Sequence, residues 1–180
     1  MKAPTTVPSS WPGEERKRDL VRSLTRAAHE RAEAAVAEHA PLDTRAGYAR
    51  FLDTLLVVHL AFADILDGTS GLVGLSPRAM VAEAHLRRDL DVLAVTPRLA
   101  PDVRLVAPAE RLGVLYAVEG SALGARIARE RIRGAEWSAD ATAYLDDLVA
   151  ASAPRWPVVA QALDGEDVDV HAVARGAEAV

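Results

Sequence analysis

Residues 111–133 constrain the fold most, because they combine helix-forming residues with three glycines at helical spacing. Gly113, Gly120 and Gly124 are separated by seven and then four residues, so a continuous helix over 111–133 would bring them close to one face. Each interior glycine costs a helix roughly 1 kcal/mol relative to alanine. Three of them indicate that another group approaches this face closely.

Two kinds of group could approach the glycines in this way. The first is a neighbouring helix packed against small residues, and the spacing alone favours this explanation. The second is a flat ligand lying across the helix. Such a ligand needs an anchor on a second element and groups that balance its charge.

The rest of the chain predicts an all-α fold in one domain. A chain of 180 residues suits a single domain with a sizeable core. Aromatic residues make up only 4%, helical periodicity dominates from residue 14, and strand-like alternation is not sustained. We expect a mobile tail over residues 1–13 and a helical domain over 14–180.

Capping residues, prolines and glycines predict where the helices begin and end. Asp43 or Thr44 can cap the second helix, Ser76 and Pro77 can open the third, and Pro108 suits the first turn of the glycine-containing helix. The expected helices run over about 14–39, 44–66, 77–92, 108–133, 138–152, 155–163 and 168–180, with loops at 67–75 and 96–108.

Charge and composition exclude several classes of function. The net charge of -5 and the pI of about 5.5 provide no positive field for nucleic acid or an anionic membrane. The longest apolar stretch, 55–63, is far shorter than the ~20 residues that cross a bilayer, and the N-terminus does not look like a signal peptide, so we expect a cytoplasmic protein. The absence of cysteine removes disulfides, iron–sulfur clusters and thiolate chemistry.

His29 is the residue best placed to anchor a ligand. Glu33 follows it by four residues and can accept the second N–H of a metal-bound imidazole. Arg22 precedes it by seven residues, on the same side, and could pair with a ligand carboxylate. The alternative is an ordinary solvated face whose pairs contribute only ~0.3–0.5 kcal/mol each, and the spacing alone favours that alternative.

The remaining histidines are expected to be structural or solvated. His59 falls on the apolar stripe of the second helix and is expected to be a hydrogen-bonded core histidine. His39 lies near a helix C-terminus, where a positive charge is favourable. His85 and His171 are expected on the surface.

Two segments of the sequence resemble a known enzyme family. The stretch Leu112-Gly-Val-Leu-Tyr-Ala-Val-Glu-Gly-Ser-Ala-Leu-Gly-Ala125 resembles the distal helix of bacterial biliverdin-producing haem oxygenases, in the branch associated with bacteriophytochromes. The segment Ala28-His-Glu-Arg-Ala-Glu33 resembles the proximal helix of that family, and 48–52 and 155–156 are weaker matches. The resemblance covers most of the chain from Arg18 onward. It implies a helical bundle that holds haem between a proximal and a distal helix.

The resemblance also implies roles on the proximal helix and at the haem edge. His29 would be the axial iron ligand, with Glu33 as its hydrogen-bonding partner. Arg22 and Tyr116 match positions that contact the haem propionates.

On the distal side, Gly120 and Gly124 would let the backbone come close to the iron, and Ser121 would help to hold water. These three residues are the catalytic residues that the resemblance implies. Ala125 stands where the family commonly has another glycine, so its methyl group would lie against the haem and could crowd it.

The implied reaction uses haem as both substrate and cofactor. Dioxygen and electrons from a separate reductase would open haem to biliverdin, carbon monoxide and ferrous iron, and the product could serve a bacteriophytochrome. Two alternatives remain open: a haem carrier or sensor that does not degrade its ligand, and a helical interaction module without a ligand. A carboxylate-bridged di-iron bundle is disfavoured because the sequence has no Glu-x-x-His pair, and a serine hydrolase because no strand precedes Ser121.

Overall fold

The computed structural model describes residues 16–99 and 107–180, and all regular secondary structure within them is helical. The all-α prediction is therefore confirmed for these residues, which form one domain. The predicted tail over 1–13 lies outside them. The elements are α1 Lys17–His39, α2 Arg45–Leu72, α3 Ala79–Val92, α4 Pro108–Gly120, α5 Ala122–Ile132, α6 Ala143–Leu163 and α7 Val170–Glu178, with a 3-10 turn at Glu136–Ser138.

Two apolar clusters form the core, and α2 and α6 contribute to both. The first cluster joins the first half of α2 to α3, α5 and the first half of α6. The second joins the remaining halves of α2 and α6 to α4, α7 and Val21 of α1. Their most deeply buried side chains include Leu52, Leu56, Leu86, Leu90 and Leu145 in the first cluster and Val114, Leu115, Val159 and Leu163 in the second.

Several helix boundaries agree with the sequence prediction. The first helix ends at His39, before Pro41, and the third ends at Val92. Thr44 is the N-cap of α2, and its hydroxyl accepts a hydrogen bond of 3.0 Å from the Gly47 N–H. Pro108 occupies the first turn of α4.

The loop predicted over 67–75 is mostly wrong, because α2 continues to Leu72. Thr69 and Ser70 are buried in the last turns of α2. The carboxylate of Asp67 accepts hydrogen bonds of 2.9 Å from the backbone N–H groups of Arg78 and Ala79. This cap from a neighbouring helix starts α3 at Ala79, two residues later than Pro77.

The predicted break near Ser152 is also wrong, because α6 is one helix that passes through Pro154 and Pro157. Helix α6 begins at Ala143, a few residues after positions 138–140, where its start was expected. The carboxylate of Asp89 on α3 accepts hydrogen bonds from the N–H groups of Ala143 and Tyr144 at 3.1 and 2.9 Å. Tertiary packing therefore outweighs the local preference of proline to end a helix. The final helix is also shorter than expected, Val170–Glu178.

The long helix predicted over 111–133 is divided at Ser121 into α4 and α5. The Ser121 N–H bonds to the Val118 carbonyl three residues back, and the Ser121 hydroxyl donates to the same carbonyl at 2.7 Å. A serine that competes for a carbonyl in this way, directly after a glycine, interrupts the regular series of helical hydrogen bonds from each N–H to the carbonyl four residues earlier. Gly124 therefore lies on a different helix from Gly113 and Gly120.

Within the described ranges, no helix is both long enough and apolar enough to cross a bilayer.

Candidate functional site

Gly113 is a helix-packing residue. It lies where α4 crosses α7, and a Cβ atom added there would overlap the carbonyl oxygen of Val173. Gly176 on α7 makes the reciprocal close approach, to the Glu110 backbone. The first of the two explanations for the glycines, a neighbouring helix, is therefore correct for Gly113.

The other two glycines are not covered by a helix. Gly120, Ser121 and Gly124 are all exposed. A Cβ atom at Gly120 would meet only the Trp156 ring, at 3.4 Å, and one at Gly124 would have nothing within 4 Å. We call residues 120–124 the glycine segment. Gly124 is open to a ligand or a partner, whereas the Trp156 ring lies over the Cβ position of Gly120.

Ala125 faces the opposite way from Gly124. Its side chain is only 4% exposed and belongs to the first core cluster. The outward face of α5 instead carries Leu123 and Ile127, which are 67% and 60% exposed. The Ala125 methyl group therefore packs inside the bundle, and Leu123 is the bulky side chain within the glycine segment that faces outward.

Helix α1 is attached to the bundle mainly through its first turns. The Lys17 ammonium donates to the carbonyls of Gly165, Glu166 and Val168 at 2.7, 2.6 and 3.1 Å, and Val21 is the buried residue of this helix. Along 26–39 every side chain is exposed except those of Ala28 and Val36, which are half-buried. The second half of α1 is thus a largely uncovered surface.

His29 lies on that uncovered half, paired with Glu33. Its Nδ1 atom is 3.5 Å from a Glu33 carboxylate oxygen, and the two side chains are 71% and 69% exposed. The two side chains therefore lie beside each other one helical turn apart, which both interpretations of the spacing, a ligand anchor and a solvated face, expect. With Nδ1 directed at a carboxylate, the Nε2 atom is left for another partner.

Tyr116 lies on the helix that leads into the glycine segment and packs against the second core cluster. Thr25 and Arg22 of α1 lie close enough to its hydroxyl to act on its pKa. Burial raises the pKa of Tyr116, against the hydrogen bond with Thr25 and the charge of Arg22, which lower it. The Tyr116 ring also packs on Trp156, with ring centroids 5.8 Å apart.

The structure therefore brings the predicted residues into two groups. The charge of Arg22 on α1 acts on Tyr116 of α4, and His29 and Glu33 lie together farther along α1. His29 is one helical turn from Thr25, and Gly120 is one turn from Tyr116. In the part of the chain that the structure describes, no hydrogen bond or ion pair joins His29 to the glycine segment.

Sequence reasoning missed a buried ion pair next to the glycine segment. Glu119 and Arg155 are 5% and 7% exposed, and the Arg155 Nε and Nη2 atoms lie 2.8 and 2.7 Å from one carboxylate oxygen of Glu119. Arg155 also donates to the Ser76 carbonyl at 2.8 Å and to the Ser70 hydroxyl at 3.3 Å. In the sequence, each of these two residues is a charged residue on an otherwise apolar stripe of its helix, and that pattern could have indicated a buried pair.

The prediction for His59 is confirmed. It is buried in α2, and its Nε2 atom is 2.8 Å from the Tyr144 hydroxyl. Burial lowers the pKa of His59 to about 4, with a smaller contribution from the charge of Arg78. His171 is exposed as expected, whereas His85 is half-buried, 3.7 Å from Asp147.

Residues 16–99 and 107–180 do not contain a recognisable metal site built from protein side chains alone. These residues contain no group of three or more His, Asp or Glu side chains that could hold one. A metal at His29 would need most of its ligands from another molecule.

The chain matches no protein-family model and no curated protein. Fold and site together define an all-α protein of one domain, with a histidine–carboxylate pair on one uncovered helix and an exposed glycine segment at the junction of two others.

Proposed function

We propose that this protein is a haem oxygenase, which opens haem to biliverdin, carbon monoxide and ferrous iron with dioxygen and electrons from a separate reductase. One observation carries the proposal: the His29–Glu33 pair stands on an uncovered helix surface, in a chain whose glycine segment is also uncovered. The resemblance of both segments to the proximal and distal helices of that family gives this pairing its interpretation.

The donor set around His29 suits a haem iron. A porphyrin supplies four nitrogen ligands to the iron, so the protein needs to supply only one imidazole on the proximal side. The carboxylate of Glu33 beside Nδ1 favours the tautomer that presents the Nε2 lone pair to a metal. Glu33 would hold the ring orientation and raise the basicity of the imidazole.

The glycine segment is the part of the chain that would hold the other face of the haem. No side chain lies within 4 Å of the Cβ position of Gly124, so an approaching flat ring could reach the backbone there, and at Gly120 it would meet the Trp156 ring beside the backbone. The Ser121 hydroxyl donates to the Val118 carbonyl and keeps its lone pairs for water. Backbone groups and ordered water could then supply polar contacts without a strong side-chain acid.

Arg22 and Tyr116 are the groups proposed to meet the propionates. The Arg22 side chain is exposed, and its charge reaches the Tyr116 hydroxyl. A guanidinium beside a phenol can bind a carboxylate through charge-assisted and neutral hydrogen bonds together. These contacts would fix the orientation of the haem edge.

When bound, the haem would supply the redox chemistry that activates dioxygen, and the reductase would supply electrons. The chain itself would bind and orient the ring through His29, exclude side chains from the distal face at Gly124, and hold water near Ser121. The biliverdin formed could be passed to a bacteriophytochrome. We place the reaction in the cytoplasm.

Titration of the purified protein with haemin tests the binding step. We expect a shifted, saturable Soret band with one haem per chain. His29→Ala should change the ferric spectrum and weaken binding by tenfold or more, which corresponds to about 1.4 kcal/mol. His171→Ala, at an exposed histidine on α7, is the matched control and should behave like the wild type.

Two results would contradict the proposal. If the wild-type protein gives no Soret shift, haem is not its ligand. If His29→Ala and the wild type have the same ferric spectrum, His29 is not the axial ligand.

A further inference from the structure

A small cavity lies between α2, α3, α4 and α6, away from the uncovered surfaces of α1 and α5. Its volume is about 30 Å³, and its lining includes His59, Glu119, Tyr144 and Arg155. A cavity needs roughly 10–15 Å³ by this measure to hold one water molecule, and the water needs polar partners. The volume therefore suits one or two water molecules.

Two polar atoms among the lining residues have no partner within the described structure. The Glu119 Oε1 atom receives both guanidinium contacts from Arg155, while Oε2 has no hydrogen-bond partner. The Nδ1 atom of His59 also has none. An unpaired buried polar atom costs roughly 1–3 kcal/mol, so both atoms call for a partner that fits the cavity.

The direction of the hydrogen bond between His59 and Tyr144 depends on which ring nitrogen carries the proton. In the described residues the Tyr144 hydroxyl has one hydrogen-bond partner, His59 Nε2 at 2.8 Å. A buried phenol that donates to Nε2 leaves that nitrogen as the acceptor, so the single proton of the neutral ring is on Nδ1. Burial lowers the pKa of His59 to about 4 and raises that of Tyr144, which keeps both groups uncharged at neutral pH.

We propose that the cavity is a binding site for ordered water, in which a water molecule accepts the His59 Nδ1–H and donates to Glu119 Oε2. The resulting chain of hydrogen bonds runs from Tyr144 through His59, water and Glu119 to Arg155. It connects α2, α4 and α6, and it fixes the last turn of α4 immediately before Gly120. Glu119 and His59 are thus positioning residues, and the site does not depend on haem.

Nitrogen NMR of the histidine side chains in the full-length, haem-free protein tests this proposal. We expect His59 to be neutral between pH 5 and 8 with its proton on Nδ1, and the Nδ1–H to show a cross-relaxation peak with water. The exposed His171 serves as the internal reference in the same spectra. An Nε2–H tautomer, or a charged ring at pH 7, would overturn the assignment.

A pair of variants tests the link between His59 and Glu119. Glu119→Gln preserves size but weakens the acceptor, so the His59 Nδ1 resonance should move. Glu130→Gln, at an exposed carboxylate of α5, should leave it in place. An unmoved resonance in a folded Glu119→Gln protein would overturn the proposal.

A crystal structure of the wild-type protein provides the second readout, because it requires no variant to fold. Density for water within hydrogen-bonding distance of both His59 Nδ1 and Glu119 Oε2 is the expected result. An empty cavity would overturn the proposal. Since no haem is present in any of these experiments, their failure is distinguishable from failure of the proposed haem oxygenase activity.

Discussion

At the scale of single residues, the side-chain contacts that could be predicted are those that depend on local spacing. His29 and Glu33 are four residues apart on one helix, so their 3.5 Å separation follows from helix geometry. The burial of His59 follows from its place on an apolar stripe. Its partner Tyr144 comes from a helix 85 residues later, and no local pattern specifies such a contact.

The buried His59 predicts that the protein loses stability in mild acid. Its folded-state pKa is about 4, below the 6.5 of an unperturbed histidine. Between these values the unfolded chain binds a proton that the folded chain does not, so stability falls as the pH drops from about 6.5 to 4. Above pH 6.5, this difference in the His59 pKa contributes about 3 kcal/mol to the free energy of unfolding.

Urea denaturation from pH 7.5 to 4 measures this effect as the difference between wild type and variants. His59→Leu should show a flatter pH profile than the wild type. His171→Leu is the control and should follow the wild-type profile. Parallel profiles for the wild type and His59→Leu would show that His59 does not remain neutral in the fold.

At the scale of helices, boundaries set by local capping were predictable and those set by neighbouring helices were not. Thr44 and Pro108 act within their own chain segments, and both were identified. The starts of α3 and α6 depend on Asp67 and Asp89, which belong to other helices. Sequence periodicity does not indicate when a side chain from another helix accepts hydrogen bonds at a helix start.

The division between α4 and α5 at Ser121 was also not predicted. Its cause is local, but the periodicity of the sequence does not show it. Gly113, Gly120 and Gly124 fit one helical face by spacing, but the hydrogen bonds from Ser121 to Val118 end α4. The glycines therefore have two different environments. Gly113 is covered by α7, and Gly124 is open.

This difference predicts opposite effects of alanine at two glycines. Gly113→Ala should destabilise the protein by about 1–3 kcal/mol, because its methyl group overlaps the Val173 carbonyl. Gly124→Ala should stabilise it by about 0.5–1 kcal/mol, because alanine favours the helix and meets no atom within 4 Å. Urea denaturation of the haem-free proteins measures both values.

Gly124→Leu then separates a ligand-facing glycine from one that is merely exposed. We expect the haem-free protein to keep its circular dichroism spectrum, because a side chain there has open space. Haemin affinity should fall by tenfold or more if the ring lies on the glycine segment. Unchanged affinity would place the haem elsewhere.

At the scale of the whole molecule, the Glu119–Arg155 pair links parts of the chain that are distant in sequence. Arg155 of α6 bonds to Glu119 of α4, to Ser70 of α2 and to the carbonyl of Ser76 in the following loop. Removing one partner leaves a buried charge unpaired, which typically costs about 3–5 kcal/mol. Arg155→Met should destabilise the protein by that amount.

The double variant Glu119→Leu/Arg155→Met should recover much of this loss, because no charge remains buried. The control is Arg133→Met, which removes an exposed pair with Glu130 and should change stability by about 0.5 kcal/mol or less. Urea denaturation compares all three variants. An Arg155→Met protein as stable as the wild type would show that the buried pair does not support the fold.

The whole-molecule picture also explains why the candidate site was only partly predictable. Sequence spacing identified residues on α1 and on the glycine segment, but not that α1 is attached mainly by its first turns and uncovered along 26–39. That exposure depends on how α7 and α6 meet α1, which is a property of the assembled bundle.

Absorption spectroscopy of the haem-loaded protein with a reductant system, in the presence and absence of dioxygen, tests the proposed activity most directly. We predict that the Soret band decays only with dioxygen, while biliverdin absorption and carbon monoxide appear together. A Soret band that persists under dioxygen and reductant would contradict haem oxygenase activity and identify a haem carrier or sensor instead.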